Sequence, residues 1–464
     1  MGQTDVLKSK SHRGETPDTT LVGSEKPVIL YENDPTLLTS TIQIVVQTGS
    51  LDDPKGKTGL TALFCELMLR GTKKRSRASF QSELERMGAA LYVRPSHDTT
   101  VFVGKVIKEN TAQFLELLQD AFLNPAFSAK EFKDLQTETL AEIAHLKNSN
   151  NRLTGLALRR EVYSGTALEK PVTGSLSTVK AISRQDVLDA YAKHFRRGAL
   201  VFSAAAPLAQ SEIEKHFQII WKGLPKGNLL RQSDVSQNMP KKPTLVLIHK
   251  PNTSTGVVMF GQKGITAEEP DRYTLSVGNF SFGSEPLVSR LFRTIRGELG
   301  WTYYVGSTYH ATGSLSRQPG FFAISSTPSV EFTTKTIRKT WEMWKSFMEE
   351  GLTKEELALA KESLINSYPF EFESAEKRLW QKLYGHLYGV PVLSPKEFEK
   401  TISEINNNKI ISALEKHQTL NGWWIMVVAD QSVFEKQLAE EQKDLPESER
   451  LTISKVVSPD ELVQ

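Results

Sequence analysis

The sequence predicts an α+β protein of two similar domains, each a largely antiparallel sheet with helices packed on one face. Three observations lead there. At 464 residues the chain exceeds what one hydrophobic core holds, and its length suggests roughly two to four domains. Its second half repeats the element order of the first at an offset of roughly 215 to 225 residues, far beyond a short-period solenoid, which points to a tandem duplication. Neither half shows the regular strand–helix alternation of a parallel α/β sheet, so helices are expected on one side of each sheet.

In chain order, the first 20 residues are polar, with no apolar stretch or Arg-rich amphipathic pattern of a targeting peptide. The first domain is assigned to 21–224. It opens with an alternating strand at Ser40-Thr-Ile-Gln-Ile-Val-Val46, echoed by Thr253-Ser-Thr-Gly-Val-Val-Met-Phe260 in the second half. Ser128-x-x-Glu131 reads as a capping box opening a helix to about Leu146, and Thr353-x-x-Glu356 is its counterpart. Ala181 to His194 mirrors Thr401 to His417, and each precedes a β-rich run, 199–206 and 423–429. A polar, Pro/Gly-containing linker, 225–242, joins the first domain to a second at 243–440. The charged, weakly patterned tail 441–464 is expected to be peripheral or mobile.

Composition narrows the function. A formal charge of +3, with no basic stripe interleaved with aromatics, gives no sign of nucleic-acid binding. No apolar run approaches a membrane span. One cysteine, Cys65, excludes an internal disulfide and leaves the compartment open: cytoplasmic, or periplasmic if a leader once preceded this chain.

Two segments carry chemistry. In Gly59-Leu-Thr-Ala-Leu-Phe-Cys-Glu-Leu-Met-Leu-Arg-Gly-Thr72, helical spacing puts Leu60, Leu63, Phe64 and Leu67 on one face. Ala62, Cys65 and Glu66 gather on the opposite face, at the i, i+3, i+4 spacing by which a helix presents ligands. In the second half, Leu287, Leu291, Phe292, Ile295 and Leu299 mark a helix core face, with Gly300 as its stop and a strand from Thr302 to Tyr309. Arg290 and Arg293 then point to solvent, Arg296 lies at the flank, and Tyr303 and Tyr304 take opposite sheet faces.

Both segments resemble those of peptidase family M16, the insulinase/pitrilysin/mitochondrial processing peptidase type. The resemblance runs from about Thr20 to Glu435 and includes the Asp-x-Pro-x-Gly-Lys turn, Asn124-Pro-Ala-Phe127 and Ser289-Arg-Leu-Phe292. It implies the M16/LuxS-like metallohydrolase fold. In the family, the helix carries His-x-x-Glu-His, two zinc ligands and a general base, and a distant Glu completes the zinc site. Here those places read Ala62, Cys65, Glu66 and Glu142, and a methyl group cannot ligate. The resemblance also carries the family's substrate-binding Arg and Tyr, seven residues apart, onto Arg296 and Tyr303. Two donors of this kind suit a developing oxyanion. The Gly-rich loop of the processing peptidase α-subunit is absent near Asn279 to Pro286.

In the two-chain members of this family, one subunit holds the zinc and the other lends the Arg/Tyr pair. The resemblance therefore implies a non-catalytic subunit with no metal of its own, lending Arg296 and Tyr303 to the active site of a partner that carries His-x-x-Glu-His and zinc. The two chains would enclose a peptide, and alone this one could pair with itself. Other readings stand beside it: a structural or peptide-binding scaffold, in which Arg296 makes a surface ion pair and Tyr303 is half-buried, and a hydrolase using Cys65 or an atypical Cys65/Glu66/Glu142 metal.

Overall fold

The computed structural model describes residues 26–227, 236–310 and 319–464. The polar segment 1–20 lies outside the described residues, as does 228–235 of the linker.

Five strands form the first sheet: β1 (Val28–Asn33), β2 (Thr39–Val46), β3 (Ala90–Pro95), β4 (Thr100–Ile107) and β5 (Leu200–Ala206), in the order β1-β5-β2-β4-β3. Six form the second: β6 (Thr244–His249), β7 (Val257–Lys263), β8 (Thr302–His310), β9 (Phe321–Pro328), β10 (Trp424–Ala429) and β11 (Ile453–Val457), in the order β11-β6-β10-β7-β9-β8. Apart from β11, the two orders are the same, so the repeat read in the sequence is a repeat of topology. Most pairs are antiparallel; β1 with β5, and β6 with β10 and β11, run parallel.

Helices lie on both faces of each sheet, not on one. The two-residue period of the strands shows how. On β2, Ile42, Ile44 and Val46 point into the large core beneath the helices of the first half, while Val45 points the other way. That outer face, with Val201 of β5, is covered by Leu383 and Leu387 of the Ala375–Tyr388 helix, which belongs to the second half of the sequence. The reverse exchange occurs on the second sheet. Ile425 and Val427 of β10 face the core of their own half, whereas Trp424, Met426 and Val428 meet Leu153, Ala157, Leu158 and Val162 of the Asn150–Val162 helix. Each half thus lends one helix to the other. Ion pairs border the first exchange: Glu32 holds Arg378 at 3.0 Å and Lys382 at 2.5 Å.

The tail lies at the edge of the fold but is tied into it at two points. β11 adds a parallel edge strand beside β6, and the short Pro459–Val463 helix returns to the first half, where Val463 is buried in the main core. The mirrored segments 181–194 and 401–417 each follow or include the end of one helix, turn, and continue as a second: Leu176–Lys180 then Arg184–His194, and Pro395–Ser403 then Asn407–His417. Among the described residues no helix is long and apolar enough to cross a membrane.

Candidate functional site: an emptied ligand face and an exposed Arg–Tyr pair

The Leu60–Met68 helix starts where the turn before it dictates. Asp53 accepts hydrogen bonds from the backbone N–H of Gly59 and Thr61, both 2.8 Å, and from the Thr61 hydroxyl at 2.6 Å. Gly59 has φ +103°, and a Cβ there would lie 2.7 Å from the Thr173 carbonyl oxygen, so only glycine fits. Alongside runs the Ala129–His145 helix, opened by Ser128, whose hydroxyl accepts from the Glu131 N–H as its sequence foretold.

Between these helices lies a cavity of about 310 Å³, lined by Ala62, Leu63, Glu66 and Arg70 from one side and by Leu135, Glu138, Thr139 and Glu142 from the other. The structure thus brings Ala62, Glu66 and Glu142 to one place. It does not bring Cys65. That side chain is fully buried among the core residues behind the helix, hydrogen-bonded to Thr100 of β4. The helix is enclosed almost all round, and Leu63, assigned to the core face, is buried in the core and also borders the cavity.

Electrostatics follow from this enclosure. Burial raises the Glu66 carboxyl above its ordinary value, Arg70 and Arg77 oppose the rise, and Glu138 and Glu142 add to it. Arg70 is committed to Glu138 through two hydrogen bonds of 3.0 and 2.5 Å. Among the described residues, no hydrogen bond or ion pair engages the carboxylates of Glu66 or Glu142. Burial pushes the Cys65 thiol well up, which disfavours the thiolate that a nucleophile or metal ligand needs. With a methyl at 62, a thiol held in the core and a guanidinium in the wall, the residues present do not fit a zinc site. Arg70 and Glu138 were not singled out from the sequence, although each stands one helical turn (i±4) from a residue that was.

The second segment departs from an ordinary α-helix. Phe292–Glu298 is a π-helical stretch, anchored by the fully buried Leu291 and Ile295. The core face drawn from α-helical spacing fails at its ends: Leu287, in the turn before the helix with φ +73°, and Leu299, just after the π-helical stretch, are exposed. Arg290 does not point to solvent. It donates to Glu356 at 2.8 and 2.5 Å and to the Gly351 carbonyl at 2.8 Å, while Arg293 reaches the same carboxylate at 3.3 Å. Although partly buried, Glu356 is held below the usual carboxylate range by Arg290 and by its N-cap bond to Thr353.

Arg296 and Tyr303 do meet. The Arg296 guanidinium sits 4.8 Å from the centre of the Tyr303 ring and 4.6 Å from that of Phe292, a cation held between two aromatic faces. No described carboxylate pairs with Arg296. Tyr303 is 81% exposed, not half-buried, and Tyr304 is exposed as well. A register break between Thr302 and Val305 in the pairing of β8 with β9 accompanies this double exposure at the sheet edge.

Comparison with known proteins agrees with this architecture. Residues 28–175 match the family described as insulinase (peptidase family M16), and residues 181–364 match the peptidase M16 inactive domain. Among curated relatives, the chain is 23% identical to the non-peptidase homolog YmxG of Helicobacter pylori, over 88% of this chain and 93% of that one. It is likewise 23% identical to the uncharacterized zinc protease YmxG of Bacillus subtilis, over 76% and 83%. A solved structure, the peptidase M16 inactive domain from Pseudomonas fluorescens, superposes with a TM-score of 0.79 at 21% identity, covering 88% of this chain and 96% of that one.

Proposed function

Because the chain belongs to peptidase family M16, we propose that it is the non-catalytic subunit of a two-chain zinc peptidase. It lends Arg296 and Tyr303 to the active site of a partner that carries His-x-x-Glu-His and the zinc, and it forms half of a peptide-binding chamber. One contrast carries the reading: the chain's own cavity lacks a ligand set, while a preorganised Arg296–Tyr303 pair stands free at the surface. A guanidinium and a phenol presented together are donors for an oxyanion developing on a neighbouring molecule. Peptide binding has support of its own. β3 is a sheet edge packed against the Leu60–Met68 helix, and its free backbone groups offer an extended peptide a row of partners beside the cavity.

The test is reconstitution with an M16 chain that bears the zinc motif. This chain alone should cleave nothing, and the pair should cleave peptides in a chelator-sensitive way. Arg296→Ala or Tyr303→Phe should lower turnover by roughly 10²-fold, the scale for one oxyanion donor. Full activity of both variants would overturn the role. A second reading, a scaffold or peptide holder outside proteolysis, is favoured by the description of the Helicobacter pylori relative as a non-peptidase homolog. It predicts peptide binding without cleavage by any mixture, and no effect of either substitution beyond folding.

A further inference from the structure

The second half also carries a group of ligating side chains that neither the cavity nor the Arg296–Tyr303 pair uses. Glu269 and Asp271 stand at the start of the Arg272–Asn279 helix, and His417 closes the Asn407–His417 helix packed against it. All three are partly buried, His417 to 13% exposure, and their ligand atoms lie within 4.8 Å of one another. The imidazole Nε2 is 2.9 Å from Asp271 Oδ2 and 3.4 Å from Glu269 Oε1. Those two separations bracket the roughly 3.3 Å between ligand atoms of a tetrahedral ion with bonds of about 2.0 Å. A cation already stands on the same two oxygens: the Lys416 ammonium lies 2.6 Å from Asp271 Oδ2 and 3.3 Å from Glu269 Oε1. It is an incomplete match, because one ammonium neutralises one of two carboxylate charges. The lysine side chain is also 59% exposed, on a flexible stem that can carry its charge out into water.

We propose that Glu269, Asp271 and His417 form a site for a divalent transition-metal ion of the zinc type, and that Lys416 swings out as the ion enters. Glu269 Oε1, Asp271 Oδ2 and His417 Nε2 are its three protein ligands, and the fourth position is left to water. The two charges of the ion cancel both carboxylates at once. The imidazole nitrogen selects zinc over magnesium or calcium, which take oxygen ligands throughout. Nε2 donates to Asp271 while no ion is bound, so its proton passes to Nδ1 or to solvent when its lone pair turns to the metal. The bound ion ties the end of one helix to the start of another. The unfolded chain scatters these ligands, so the ion favours the fold. The site stands apart from the emptied ligand face and needs neither a catalytic partner nor a peptide.

The experiment takes the purified full chain, stripped with chelator and free of any affinity tag, and titrates it with zinc sulfate by calorimetry, with thermal melting alongside. One zinc per chain is expected, together with a rise in melting temperature. His417→Gln and Asp271→Asn should each weaken binding by roughly a hundred-fold, at or beyond the upper end of what losing a residue that merely orients a ligand costs, and should abolish the rise. Lys416→Met should act in the opposite sense and tighten zinc a few-fold, the small scale being that of exposed ion pairs. Glu66→Gln/Glu142→Gln should leave zinc binding as it was, and zinc ligands built into the cavity would add a second ion to this one. Melting without zinc shows that each variant is folded. Less than one zinc per chain, binding indifferent to His417→Gln and Asp271→Asn, weaker binding after Lys416→Met, or binding lost with Glu66→Gln/Glu142→Gln would each overturn the proposal.

Discussion

The exchange of helices between the halves can be tested at one contact. Gly261 on β7 lies under Leu158 of the Asn150–Val162 helix, and a Cβ at 261 would come within 2.4 and 2.5 Å of the two Leu158 methyl carbons and 3.0 Å of its Cγ. Both methyls and the branch point are too close, so no rotation of Leu158 relieves the clash, and the side chain has no room because it is fully buried. Gly261→Ala should then cost about 1–3 kcal/mol by overpacking. Leu158→Ala alone removes a buried leucine and should cost about 2–5 kcal/mol. The double variant should be more stable than the sum of the two, with a coupling of about 0.5–3 kcal/mol, because the new methyl occupies part of the space that leucine vacated. Urea unfolding monitored by circular dichroism measures all three. A neutral Gly261→Ala, or strict additivity in the double variant, would refute the exchanged packing.

Three further outcomes follow from the geometry. Glu356 has a folded pKa below its ordinary value, so it stabilises the fold above the carboxylate range and loses that contribution as pH falls through the lowered value; wild type should exceed Glu356→Gln in urea midpoint at pH 7 and converge with it in acid. Deleting Ile453–Gln464 strips β11 from β6 and Val463 from the first core, so the truncated chain should melt well below the full one in calorimetry, and an unchanged melting temperature would contradict the integrated tail. Ala62→His/Glu66→His, with the native Glu142, should create a three-ligand set that binds one zinc by titration calorimetry and loses it again with Glu142→Gln, since the cavity already brings all three positions together.

The sequence carried the local signals faithfully. Ser128 and Thr353 both cap their helices, with the full capping box formed at Thr353–Glu356 and only its serine half at Ser128, and the repeated order of strands became two sheets of the same topology. What failed was long-range. β5 and β10 are buried on both faces and read as nearly continuous apolar runs, with Ser203 of β5 the polar exception, which say that something covers the second face without saying what. The Asn150–Val162 and Ala375–Tyr388 helices were therefore not recognised as exchanged. At the site, the wheel over 60–68 placed Ala62 and Glu66 correctly but set Cys65 with them, because periodicity cannot show that a helix is enclosed on nearly all sides. Over 287–299 the α-helical period failed at two places: Leu287 lies in a turn before the helix, at φ +73°, and the π-helical Phe292–Glu298 turns more slowly toward Leu299.

The exchanged helices also bear on how the two features of the site can be used. Every residue lining the cavity comes from 59–173, and the neighbours that fix Arg296 come from 292–303. A hinge between two independent domains would allow the pair to swing toward the cavity of its own chain. Here each half is roofed by a helix of the other through fully buried leucines, Leu383 on the first sheet and Leu158 on the second. Separating the halves would expose both apolar surfaces at once, at a cost of about 1.5–3 kcal/mol for each large side chain bared. That cost holds the two halves as one body, so Arg296 and Tyr303 stay outside the lining of their own chain's cavity. Under the proposed function, a pair fixed in this way would act on a second molecule, and the same rigidity would make it a well-placed donor there.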